Sequence, residues 1–170
     1  MDMYPGGNVI RVTPTMLLAA YADGDAGITA EIPNAVSNRG GVSELVGVSM
    51  VCGDAGQNPL GEILFHSNNQ SLGDTGTDQA TLTDAQALAM GFLGLVNVVT
   101  SDVHAITSTA DSSSLFISVG SAADDPAYRH ILLQAAAGSR SVYFTHQPNV
   151  AWDYESATEV QYIFHVKYLD

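Results

Sequence analysis

Apolar positions along this chain come in short runs separated by clusters of Gly, Asp, Asn, Ser and Pro. That is the pattern of strands joined by turns. The C-terminal stretch is the clearest case. Val160, Tyr162, Phe164, Val166 and Tyr168 fall on one face, while Gln161, His165 and Lys167 fall on the other with Ile163 among them. Period-two alternation places the first set against a core and leaves the second set wetter. Further strands are predicted over Val48 to Cys52, Glu62 to His66, Leu93 to Thr100, Leu115 to Val119, Ile131 to Ala136 and Ser141 to His146, with weaker signals near Val9 to Val12 and Ile28 to Ile32. Roughly seven to nine strands result, and their separations exceed those of a simple hairpin meander. The expected class is all-β, a β-sandwich or jelly roll with one or two short helices.

One helix has complete boundary signals. Thr83 to Gln86 fits the capping box, Ala85, Ala87, Leu88, Ala89 and Met90 favour helix, and Gly91 is placed to end it. Thr15 to Ala22 fits a second short helix, with Pro14 at its start and Gly24 after it, or equally a paired strand. Loops are expected at residues 23–27, 38–41, 53–56 and 67–77, where Asp and Asn accept local backbone bonds and Gly supplies positive φ. No internal repeat or linker divides the chain. The organisation expected is an N-terminal arm over residues 1–8 and a single β-sandwich domain over 9–170.

Composition narrows the classes of function. With 170 residues and one cysteine, Cys52, the chain must rely on its core for stability, since no internal disulfide can form. Eighteen acidic residues against five basic ones give a formal charge of -13, which disfavours nucleic acid and anionic membranes as partners. An apolar share of 46% is too high for a disordered acidic tail, so the acidity belongs to the surface of a folded body. The first residues carry no basic-then-apolar leader pattern and no later run suits a membrane span, so the expectation is a protein made and used in solution.

Each candidate for chemistry has a plainer reading. Cys52 ends the run Val48-Ser49-Met50-Val51-Cys52, where a small buried thiol is the ordinary outcome. His66, His104, His130, His146 and His165 stand singly at wide separations, without the close pairs of a metal site, and most are expected on the surface or in loops, although strands can gather distant residues into a cupin-like site. Asp23-Gly24-Asp25 and Asp74-Thr75-Gly76-Thr77-Asp78 lack the later Glu of a calcium loop and read as solvated turns. Gly41-Val42-Ser43-Glu44-Leu45 fails the nucleophile elbow at its fifth residue. Trp152, Tyr154 and Tyr143 suit a sugar-stacking platform, but aromatics near strands are more often core or subunit-interface residues. The expectation is a protein that is not an enzyme, with no catalytic residues, cofactor or metal.

Several stretches, taken in order, suggest a relationship: Gly41-Val42-Ser43-Glu44-Leu45-Val46-Gly47-Val48-Ser49, Gly61-Glu62-Ile63-Leu64-Phe65-His66-Ser67-Asn68-Asn69, Leu82-Thr83-Asp84-Ala85-Gln86-Ala87, and then Ser141-Val142-Tyr143-Phe144 with Ala151-Trp152-Asp153-Tyr154 before the closing strand. In this the chain resembles small tailed-phage capsid cement or decoration proteins built on β-sandwich or jelly-roll domains. The resemblance implies a structural virion protein made in the host cytoplasm. It would be added to the outer surface of an assembled capsid, often as a homotrimer, with the major capsid protein as partner. The resemblance carries over no functional residue; by their own character the candidate capsid or subunit interface residues are Tyr4 and Pro5 in the arm, the scarce cations Arg11 and Arg39, and Trp152. A tail or head-fibre protein and a carbohydrate-binding module are the alternatives.

Overall fold

The computed structural model describes residues 7–18, 20–53, 59–70, 83–105, 115–119 and 131–169. Ten strands are present: β1 (Gly7–Val12), β2 (Ile28–Ile32), β3 (Val42–Cys52), β4 (Gly61–His66), β5 (Phe92–Val98), β6 (Val103–Ala105), β7 (Leu115–Val119), β8 (Ile131–Gln134), β9 (Val142–Pro148) and β10 (Val160–Tyr168). One α-helix, α1 (Asp84–Met90), lies between β4 and β5, and a 3₁₀ turn (Thr100–Asp102) follows β5. The all-β class is as expected. The short strand β6 is an addition, and β5 stops at Val98 because the carboxylate of Asp102 closes the next turn by accepting from the Val99 N–H at 3.0 Å.

Two antiparallel sheets make a sandwich-like body. The larger runs β1-β10-β3-β7-β6, with β8 also against β3, and the smaller runs β2-β9-β4-β5. β3 is long enough to serve two neighbours on one side, β8 along Val42 to Leu45 and β7 along Val48 to Cys52. Alternation sets the faces as predicted for β10, whose Val160, Tyr162, Phe164 and Val166 are buried. They meet the inward residues of the other sheet through aromatic contacts. Phe144 of β9 lies 4.7 Å from Tyr162 and 5.0 Å from Phe164, centroid to centroid, and Phe65 of β4 packs edge-on against Phe164 at 6.0 Å. Edge-to-face and tilted ring pairs of this kind are favourable beyond the area they bury.

Two loop segments close one end of the sandwich. The residues predicted as either helix or strand over Thr15 to Ala22 form no helix among those described. Instead Tyr21 makes an antiparallel bridge with Trp152, donating to its carbonyl at 2.7 Å and accepting at 3.1 Å, and the Met16 N–H reaches the Ala157 carbonyl at 2.8 Å. Helix α1 is capped as its sequence dictates: Thr83 Oγ1 accepts from the Gln86 N–H, Gln86 Oε1 accepts from the Thr83 N–H at 2.9 Å, and Gly91 ends it at φ 63°. Strand β1 begins at Gly7, two residues inside the stretch read as an arm. No helix among the described residues is long and apolar enough to cross a membrane.

Candidate functional site

The side chains that offered chemistry in the sequence are, where described, built into the body. Cys52 is fully buried at the end of β3, as its apolar run implied. Asp25 is buried and its carboxylate accepts from the Ala22 N–H at 2.7 Å, which makes it a turn-closing residue. Among the described residues no group of three His, Cys, Asp or Glu gathers as metal ligands would. Residues 74–78 and His130 lie outside the described residues.

Two histidines correct the expectation of surface or loop positions. His66 and His146 lie on β4 and β9 and are fully buried. Single histidines within apolar runs carry no sequence mark that separates a buried, bonded ring from an exposed one.

His66 belongs to a polar chain across the small sheet. Its Nδ1 lies 2.6 Å from the Asn68 carbonyl, its Nε2 lies 3.0 Å from Thr145 Oγ1, and Thr145 Oγ1 lies 2.9 Å from Thr29 Oγ1. A carbonyl can only accept, so Nδ1 carries the proton and Nε2 accepts from Thr145. Thr145 in turn accepts from Thr29. Asn68 extends the chain to α1 by donating to the Ala89 carbonyl at 2.7 Å. Tyr143 stacks on the imidazole at 6.1 Å and 18°. Burial holds the His66 pKa below the usual value, against the opposing pull of the Asn68 carbonyl.

His146 faces the opposite way, into the core. Its Nδ1 lies 2.7 Å from Tyr162 Oη, joining β9 of one sheet to β10 of the other, while Nε2 has no partner among the described residues. Trp152 packs on the ring at 4.7 Å. Burial pushes the His146 pKa down to about 3, and burial pushes the Tyr162 and Tyr154 hydroxyls up, so all three groups are neutral at pH 7.

The sequence-derived interface residues fall in different environments. Tyr4 and Pro5 lie outside the described residues. Arg39 is exposed in the turn before β3. Trp152 is a correction: it has no exposed surface, its Nε1–H donates to the Leu60 carbonyl at 3.2 Å, and it sits between Tyr21, Tyr154 and His146. A side chain so enclosed is core and cannot itself meet a partner or a sugar. Tyr154 is buried beside it, whereas Tyr143 lies on the far face of the small sheet, so the three aromatics form no platform.

Arg11 is exposed on β1 with its side chain on the outer face of the six-stranded sheet. The β1–β10 register sets Arg11 beside Ile163, Val9 beside His165, and Gly7 beside Lys167. The β10–β3 register sets Lys167 beside Glu44, and Lys167 Nζ lies 3.8 Å from Glu44 Oε2. At the end of the sandwich, a cleft of about 380 Å³ runs between Ser67, Gly91, Phe92 and Leu93 on one side and Gln134 to Ala137 on the other. Its lining carries no ionisable side chain.

Comparison with family models, with curated proteins and with solved structures returned no match to this chain.

Proposed function

We propose that this protein is a structural component of a virion, a cement or decoration protein that binds the outside of an assembled tailed-phage shell and stabilises it by bridging subunits of the major capsid protein. The observation that carries this reading is the internal use of the chain's chemistry-bearing groups. Cys52, Asp25, His66, His146 and Trp152 are all buried and serve packing or hydrogen bonding that ties strands, sheets and loops together. A body braced in this way suits a load-resisting role better than a reactive one. The resemblance adds the trimeric state and the outer-surface location. In this reading Tyr4, Pro5 and the rest of the arm reach a neighbouring subunit, while Arg11 and Arg39 meet acidic groups of the shell.

The test is addition of the purified protein to shells that lack it, followed by sedimentation and by heating. Saturable co-sedimentation with a raised shell-disruption temperature is the expected result. Shells that sediment without it and disrupt at the same temperature would overturn the reading. Its recovery with tails instead of heads in purified particles would favour the tail or fibre alternative.

A further inference from the structure

The charges of the strands are segregated by sheet. The strands of the six-stranded sheet carry Arg11 and Lys167 and a single acid, Glu44, whereas those of the four-stranded sheet carry Glu31 and Glu62 and no Lys or Arg. Both cations of the large sheet point outward, because Ile10, Phe164 and Val166 at the alternate positions are buried in the core. In a chain of formal charge -13, two of the five basic residues thus share one sheet face. The pairing of β1 with β10 brings them together across most of the chain's length.

We propose that this outer face of the six-stranded sheet is the docking face of the protein and that its occupant is an acidic protein surface. The proposal rests on the capsid reading and names the surface that would meet the shell. The geometry has the order expected of a small interface. Arg11 and Lys167 sit four strand positions apart, about 13 Å along the sheet, with Val9 and His165 side by side between them and Ile163 beside Arg11. Val9 is 45% exposed beside His165, which leaves a small apolar surface to be desolvated between the two charges. Arg11 offers the planar fork that suits carboxylates. Lys167 remains 58% exposed although Glu44, 18% exposed, lies 3.8 Å away, so its ammonium can still meet a further carboxylate. Gly7, opposite Lys167, has no side chain to cover it. Charge complementarity to Arg11 and Lys167 selects an acidic partner, and the capsid reading makes that partner a protein.

The experiment measures binding to shells lacking the protein by co-sedimentation at low and high salt, for the wild type and for Arg11→Glu, Lys167→Gln and the double variant. Arg140→Glu, which makes the same two-unit change in net charge as Arg11→Glu but outside this face, is the control for that variant, and thermal melts check that each variant is folded. The expected result is at least tenfold weaker binding for the double variant, unchanged binding for the control, and wild-type binding that weakens with salt. Wild-type binding that the double variant retains in full, or that the control loses equally, overturns the docking face and leaves the capsid reading standing. A wild type that does not bind overturns the capsid reading and this proposal with it.

Discussion

Acid should destabilise this protein through His146, and the magnitude follows from its burial. The ring is fully enclosed with its pKa lowered to about 3, whereas in the unfolded chain it titrates at the ordinary value of about 6.5. The folded value lies below the unfolded one, so between those two pH values the unfolded state binds more protons and stability falls as pH falls. The contribution is fully present above pH 6.5 and is lost progressively down to pH 3. Integrated from pH 7 to pH 5, the loss is about 2 kcal/mol, and it reaches about 4 kcal/mol at pH 3. The loss at pH 5 is set almost wholly by the unfolded-state value, because the buried ring is still neutral there. His66, also buried with a lowered pKa, acts in the same direction.

Acidification also relieves the self-repulsion of a chain carrying -13, which works against this loss. The informative quantity is therefore a difference between proteins. In His146→Phe/Tyr162→Phe both partners of the buried hydrogen bond are replaced by apolar rings, which avoids leaving either one unsatisfied. Urea unfolding at pH 7, 6 and 5 should show the wild type losing about 2 kcal/mol more than this variant over that range. Nitrogen chemical shifts should report a neutral His146 imidazole at pH 5. Equal losses in the two proteins, or an imidazolium signal at pH 5, would refute the reasoning.

Three other substitutions test the architecture. Gly61→Ala should cost about 3 kcal/mol or more by chemical denaturation, because a Cβ there falls 1.8 Å from the Gln147 carbonyl oxygen and the backbone of β9 must move; a loss under 1 kcal/mol would mean the two strands are not so close. Thr145→Val keeps the shape but removes the link between His66 and Thr29, and should cost about 1–3 kcal/mol while changing the His66 ring signals in NMR. Thr83→Ala removes an exposed helix cap and should cost about 1 kcal/mol, with amide exchange rising in α1 and little elsewhere.

Local patterns made much of the fold legible. β10 is readable because its alternation continues over nine residues, and α1 because Thr83, Gln86 and Gly91 are boundary signals that act within the helix itself. Thr15 to Ala22 is different, because its structure is set by a partner some 130 residues away. Met16, Tyr21 and Trp152 carry apolar surface that suits a helix, a strand or an irregular crossing alike, and only the pairing of the two segments decides. The histidines fail for the same reason. His66 and His146 are two of five scattered rings, and what buries them is the hydrogen bonds to Thr145 and Tyr162 that the sheets create.

The outer face shows how far such reasoning reaches and where it stops. Alternation alone places His165 and Lys167 on the wetter side of β10, and a weaker pattern places Arg11 on β1. Neither strand reveals that they are neighbours, since a strand of this composition could pair with any of several others. Once β1 and β10 are joined in register, the sequence signal that was diffuse becomes local: two cations flanking Val9 and His165 on one sheet, with Glu44 beside Lys167, while Glu31 and Glu62 lie on the other. Such a division gives the molecule two unlike faces without any change in its composition. On the docking-face proposal, a body carrying -13 turns toward an acidic partner the one sheet whose strands carry cations. Binding should then be sensitive to Arg11 far beyond the exposed area of that one side chain.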